Sequence, residues 1–438
     1  MEDNRHDCLL DEFPPVSARQ WKLKIQADLK GAPYETLITS TPEGIDIRPF
    51  YHLDEYRTLP SMERPSQYEI VSWNPPLAGP GEIPALQARQ VVWIDRPWTP
   101  AIQAAPWEPF AGVVRWHASL QHAESAAGLL RAGHTVYFSP LSRLTATGQP
   151  DSAGGNDREA LQQIWKTHPQ ARLTVDAAIF ADAGANLVQQ TAYALAQYLE
   201  YAEWLGPEAA GRIRVDMAVG SRYFHEIAKL RALRYLWKEI TGGSPQIFVR
   251  PTLRNKTLAD PYNNMLRTGM EMMAAVLGGA DQIANLPYDY LFARRAESYR
   301  LADNQLVLLR EEASFESRRM AADGSYFLDE WTWRLADKAM TLLDQIRAGG
   351  GYLAQLRQGT IQRHVSRAAR REQERFDRGK ITLIGVNKYV LEDEQLPAPL
   401  PGAFRRRRKR RTLIRPVVPV RLAETVERER LKQQGIEI

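Results

Sequence analysis

From about residue 113 the chain keeps a two-beat rhythm in which short β-rich runs alternate with helical stretches. HTVYFSP follows the helical SLQHAESAAGLLRAG, RLTVDAAIF precedes LVQQTAYALAQYLEYAEWL, and RIRVDMAV precedes YFHEIAKLRALRYLWKEI. SPQIFVRP precedes DPYNNMLRTGMEMMAAVLGGADQI, and DQIANLP follows it. Repeated strand–helix units imply a parallel sheet with helices outside it, because each parallel crossover must return over a face of the sheet. Enough units fit between 113 and about 390 to close an eight-stranded barrel. The 438 residues hold a barrel of roughly 250 residues plus additions.

The segment DPYNNMLRTGMEMMAAVLGG reads as one of the outer helices. Asp260 is expected to cap it, Pro261 to suit its first turn, and Gly278 and Gly279 to end it. Met265, Leu266, Met273, Val276 and Leu277 fall on one face, the side expected to meet the core. Methionine adapts to irregular gaps, which suits a helix wedged between barrel and neighbour.

Ahead of the barrel, residues 1–60 read as an arm. Trp21, Ile25 and Leu29 are at helical spacing, with Ser17 as N-cap and Gly31 as stop, and LITSTPEGIDIRPFY reads as strand, turn, strand. Such a piece buries little apolar area alone, so a larger body or a partner chain must cover it. Residues 61–112 are rich in Pro, Trp and Gly and read as an ordered irregular segment. The barrel is assigned to 113–395 and a basic tail to 396–438.

Charge and composition exclude several classes. Apolar residues make up 44% and charged residues 25%, without an apolar run of membrane-spanning length or a secretory leader, so the expected compartment is the cytoplasm. Cys8 is the only cysteine, which rules out internal disulfides and cysteine zinc sites. The net charge of +5 is the work of Arg405–Arg411, whose seven cations leave −2 for everything else. That run reads as a solvated connector able to meet an acidic partner patch; without interleaved aromatics, nucleic acid is not the expected partner. P-loop, nucleophile-elbow and zincin motifs are absent. His225 reads as a packed histidine. Glu311 and Glu312 follow an apolar run, where a barrel site residue could stand.

TPEGIDIRPFY, EIAKLRALRYLW, DPYNNMLRTGMEMMAAVLGGADQI and IGVNKYVLEDE, in this order, resemble the methylmalonyl-CoA mutase family. The resemblance implies an α/β chain with a (β/α)8 TIM barrel that binds acyl-CoA along its axis. An N-terminal helix–hairpin arm would embrace a partner, with Trp21, Ile25, Leu29, Phe50 and Tyr51 at the interface. It also places the methionine helix in the barrel wall near that interface, and implies adenosylcobalamin chemistry, for which the cofactor supplies the radicals.

The sequence departs from the active pattern in three places. The D-x-H-x-x-G signature of the cobalamin-binding domain is missing, and about 40 residues after the barrel leave that domain no room. Where active chains have Y-H-M-Q-E-A-G-A, this chain has AIFADAGA, which puts Ala178 on the tyrosine and Ile179 on the substrate-contacting histidine. Neither can donate a hydrogen bond or move a proton. Where active chains have TSGWSL, this chain has LRNKTL, with Arg254 and Lys256 in place of small residues.

The resemblance therefore implies the small, non-catalytic (β) subunit of a heterodimeric mutase that interconverts methylmalonyl-CoA and succinyl-CoA. It would bind no cofactor by itself; a catalytic large subunit would bring adenosylcobalamin to the complex. Arg254, Lys256 and Glu312 remain the candidates for substrate contact, and no residue is a candidate metal ligand. Two other readings stay open: an active acyl-CoA-binding subunit served by a separate cobalamin protein, and a non-enzymatic scaffold.

Overall fold

Alternation along the short strands decides the architecture. In RIRVDMAV, Ile213, Val215 and Met217 join the apolar layer beneath the helices. Arg214, between them, reaches across to Asp95 on another strand. One face of each strand thus meets helices while the other meets the opposite wall, which is the arrangement of a closed sheet. The computed structural model describes residues 14–60, 67–103, 105–315, 322–391, 393–404 and 412–436.

Eight parallel strands close the barrel: β3 (Glu69–Trp73), β4 (Trp93–Pro97), β5 (Val114–Ala118), β6 (Thr135–Phe138), β7 (Ala171–Asp176), β8 (Ile213–Val219), β9 (Gln246–Pro251) and β10 (Gln282–Ile283). They neighbour one another in chain order, and β10 pairs with both β9 and β3. A separate antiparallel hairpin, β1 (Thr39–Ser40) and β2 (Asp46–Ile47), belongs to the arm. The barrel therefore starts at Glu69, inside the stretch read as irregular. The sequence hid β3 and β4 because their lumen-facing residues are Trp73, Trp93 and Asp95, so neither strand shows a plain apolar rhythm.

The helices Leu187–Leu205 and Tyr223–Thr241 follow β7 and β8, and Tyr326–Ala348 packs across both. Asn186 caps the first of these, with Gln189 bonding back to the cap. His225 stands edge-on to Trp331, ring centroids 4.2 Å apart, as a packed histidine should. Burial, with Arg222 nearby, pushes its pKa down to about 4.

The methionine helix begins at Asn263, two residues later than a cap at Asp260 would start it. Asp260 does not cap it. Its backbone is left-handed (φ 44°) and its N–H donates to Glu394 (2.5 Å). The buried face also differs from the apolar stripe of the sequence. Met272, Ala275 and Val276 reach the core, but Leu266 is 64% exposed, and Asn264, Arg267, Thr268 and Glu271 are buried. Asn264, Arg267 and Glu271 go inside because the loop after β9 presents polar partners to them.

In the arm, Ser17 caps the helix Ala18–Asp28 in a capping box with Gln20. No residue of this helix is buried, and the Trp21 and Phe50 rings meet at a tilt, centroids 6.2 Å apart. The hairpin is anchored more firmly. Glu43 is buried, paired with Arg222, and accepts the N–H of Leu187 (3.2 Å). Tyr51 meets Phe327 (5.2 Å), and Tyr56 Oη donates to Asp329 (2.6 Å).

Beyond the barrel the chain is folded rather than tail-like. Leu396, Phe404, Leu422, Ala423 and Leu431 form a second core with Leu258, Leu291, Phe376 and Leu383, and Glu424–Gln433 is helical. Arg405–Arg411 lies outside the described residues. Among the described residues no helix is long and apolar enough to cross a membrane.

Candidate functional site

In a parallel barrel the carboxyl ends of the strands are where a site is built. β7 ends at Asp176 and turns at once into the helix Ala178–Asp182. Asp176 Oδ1 accepts the N–H of Ala178 (2.9 Å) and starts that turn. Ala178 and Ile179 are both buried and present only alkyl surface. The polar residue here is Asp182. Its Oδ2 accepts from Arg250 (2.7 Å), and its Oδ1 from Thr252 Oγ1 (2.8 Å) and the N–H of Leu253 (2.7 Å). It ties the loop after β9 to the loop after β7. The sequence reading passed over it, although an acid among small residues in AIFADAGA was a usable signal. Burial opposes the Arg250 charge, yet Asp182 outweighs burial and raises the guanidinium pKa.

Arg254 and Lys256 are both neutralised inside the chain. Arg254 donates to Glu372 (2.9 Å) and to the carbonyls of Val420 (2.5 Å) and Ala369 (3.3 Å). Lys256, 3% exposed, donates to Glu271 (2.8 Å) and Asn255 Oδ1 (2.6 Å). Burial pushes the Lys256 ammonium down and the Glu271 carboxyl up, each offset by the other's charge. Glu312 is exposed and caps the C-terminus of the outer helix Ala296–Glu311, so it does not stand at a strand end.

Inside the barrel the axis is filled. Arg214 of β8 bonds Asp95 of β4 (2.6 Å) and Asp216 (2.7 Å), its guanidinium held between the rings of Tyr137 and Phe248 at 4.5 Å from each. His117 Nε2 lies 3.2 Å from Asp95 Oδ2 and stacks on Tyr137 at 5.3 Å. Toward the amino end, Arg115 donates to Gln282 (2.8 Å) and covers the Trp93 ring (3.5 Å), while Trp93 donates to Glu69 (2.7 Å). Toward the carboxyl end, Arg250 lies 5.1 Å over Trp73, which stacks on Tyr290 at 6.0 Å.

Burial disfavours ionisation of Asp95, but Arg214 and His117 together hold its carboxyl below the usual range. At Asp176 burial and nearby Asp216 outweigh the attraction of Arg250 and push the carboxyl up to about 6. This arrangement interlocks the wall and offers no activated nucleophile and no donor at position 179. Among the described residues no His, Cys, Asp and Glu group could hold a metal ion. A cavity of about 260 Å³ lies away from the axis, between outer helices, lined by Glu200, Arg347 and Tyr352.

The final segment lies across the same loops. The N–H groups of Val417, Val420 and Leu422 donate to the carbonyls of Thr145 (2.8 Å), Asp182 (3.1 Å) and Arg254 (2.9 Å). Arg421 pairs with Glu427 (2.6 Å), and Glu427 also accepts the N–H of Leu258 (2.6 Å).

Residues 163–422 match the family model described as methylmalonyl-CoA mutase. Over 439 aligned positions the chain is 28% identical to the methylmalonyl-CoA mutase small subunit of Porphyromonas gingivalis, covering 87% of this chain and 71% of that one. It is 36% identical to a methylmalonyl-CoA mutase of Cereibacter sphaeroides, but over 49% of this chain and only 32% of the relative. For the mitochondrial mutase of Homo sapiens the figures are 32% identity, 49% and 31%. The matched stretch thus spans about a third of the length of these two mutases.

Proposed function

Since the chain belongs to the methylmalonyl-CoA mutase family, we propose that it is the small subunit of a heterodimeric mutase that interconverts methylmalonyl-CoA and succinyl-CoA, and that it is itself silent. The observation that carries this reading is the packed axis. An acyl-CoA threaded along it would have to displace Arg214 from Asp95 and Asp216 and part the rings of Tyr137 and Phe248. Stripping a buried ion pair of one partner costs about 3–5 kcal/mol. At the carboxyl end, Ile179 leaves a thioester carbonyl without a donor, a further loss of about 1–3 kcal/mol.

Adenosylcobalamin does not fit the residues present. Val417–Leu422 bridges the segments after β6, β7 and β9, and His117 is engaged with Asp95 inside the lumen. The radical chemistry would belong to the large subunit, and this chain would stabilise the assembly. Resemblance to a protein called a small subunit supports an unequal partner of this kind.

The test is mutase turnover with methylmalonyl-CoA and adenosylcobalamin. The purified chain alone should give none, whereas the chain combined with the full-length mutase chain of its own organism should form an active complex. Turnover by the chain with cofactor alone would overturn the proposal.

A further inference from the structure

The helix Asn263–Leu277 turns an apolar face to solvent. Tyr262, Leu266 and Met270 follow one another at four-residue spacing, 63%, 64% and 54% exposed. Neighbouring elements extend the face on both sides. Gln305 of the helix Ala296–Glu311 donates to the carbonyl of Met265 (2.8 Å). The exposed Leu301 and Leu308 flank Gln305 on that same side. On the other edge Arg267 donates to the carbonyl of Ile384 (2.9 Å), where Ile384 and the run Tyr389–Leu391 are again exposed. Nine of the 17 exposed large apolar side chains among the described residues lie in these three neighbouring elements. That concentration goes beyond the scattered apolar residues of an ordinary surface.

We propose that this face is a docking surface for the catalytic large subunit, in addition to the arm. The inference rests on the small-subunit reading and deepens it. Area argues for a protein of that size. At roughly 100 Å² per exposed side chain the face offers about 900 Å², close to the ~800 Å² per partner of a stable interface. Among the described residues the arm offers less, since its exposed large apolar side chains are Val16, Trp21, Leu23, Leu37 and Leu53. The polar half of the helix makes the arrangement rigid. Arg267 donates to Thr257 Oγ1 (2.8 Å) and Glu271 accepts from Lys256 (2.8 Å), so the exposed face is held in register by bonds on the hidden one.

The test uses the full chain and, as probe, the full-length mutase chain of the same organism. Binding is measured by size-exclusion chromatography with light scattering and by interferometry for Kd. The double variant Leu266→Glu/Met270→Glu should weaken the complex by at least ~30-fold, the loss expected when a central anchor is replaced by charge. Its circular dichroism and melting should stay as in the parent, since both side chains face solvent. Leu413→Glu, 70% exposed and outside the face, should bind like the parent. Parent-like binding by the double variant would overturn the docking surface while leaving the small-subunit reading intact. Failure of the unmutated chain to bind would overturn the small-subunit reading, and the occupant with it. Self-association of the unmutated chain that the double variant abolishes would assign the face to a second copy and overturn the occupant alone.

Discussion

Lys256→Met isolates what the LRNKTL loop does. In the parent, Lys256 Nζ lies 2.8 and 2.9 Å from the two oxygens of Glu271, and both residues are buried, 3% and 1% exposed. Methionine keeps the volume and removes the charge, which leaves Glu271 with Asn255 Nδ2 (2.6 Å) as its remaining donor. A buried carboxylate stripped of its counter-charge costs about 3–5 kcal/mol. The cost should depend on pH with a definite sign. The folded Glu271 pKa is already raised by burial above 4.5, and losing the ammonium raises it further. The folded variant therefore binds more protons than its unfolded chain, so its deficit is largest at high pH and shrinks as pH falls, by up to ~1.4 kcal/mol per unit. Urea unfolding followed by tryptophan fluorescence at pH 8, 6.5 and 5, each against the parent at the same pH, measures this directly. Lys256→Met/Glu271→Met should lie within about 2 kcal/mol of the parent, because removing both charges also removes their desolvation cost. A deficit below ~1 kcal/mol at pH 8, or one that does not change with pH, would refute the buried-pair account. Lys256 would then be a solvated cation free to meet an anionic ligand.

Asp176→Asn should stabilise the fold by about 1–2 kcal/mol at pH 8 and change little at pH 4. The parent carboxyl, raised to about 6, loses stability as pH rises through that range, and the amide oxygen still accepts from Ala178. Calorimetric titration with methylmalonyl-CoA should show no micromolar binding, which would require about −8 kcal/mol. Ile179→His should rescue neither binding nor turnover, because the axis stays filled. Deleting residues 1–31 should weaken co-purification with the large subunit at unchanged melting temperature, since the arm helix has no buried residue. A deletion through residue 51 is a poorer test, because it also strips Glu43 from Arg222.

From β5 onward the barrel is legible in local patterning alone. Where strands read RLTVDAAIF or RIRVDMAV and helices follow, local periodicity dictates parallel pairing, and the capping of Ser17 and the stop at Gly278 and Gly279 are equally local. The inability of Ala178 and Ile179 to donate is likewise a property of residue type alone. Tertiary structure decided whatever depends on a partner far along the chain. The lumen residues of β3 and β4 find their partners on other strands, Trp73 under Arg250, Trp93 under Arg115 and Asp95 on Arg214, and nothing local announces those partners. Arg254 and Lys256 look like charges set into a substrate channel until Glu372 and Glu271, 118 and 15 residues away, neutralise them. The methionine helix shows the division within one element. Its existence is written in its spacing, but which face it buries is not. An amphipathic stripe finds the core only when the core beneath it is apolar, and here the loop after β9 supplied polar groups that drew Arg267 and Glu271 inward and left Leu266 and Met270 facing outward.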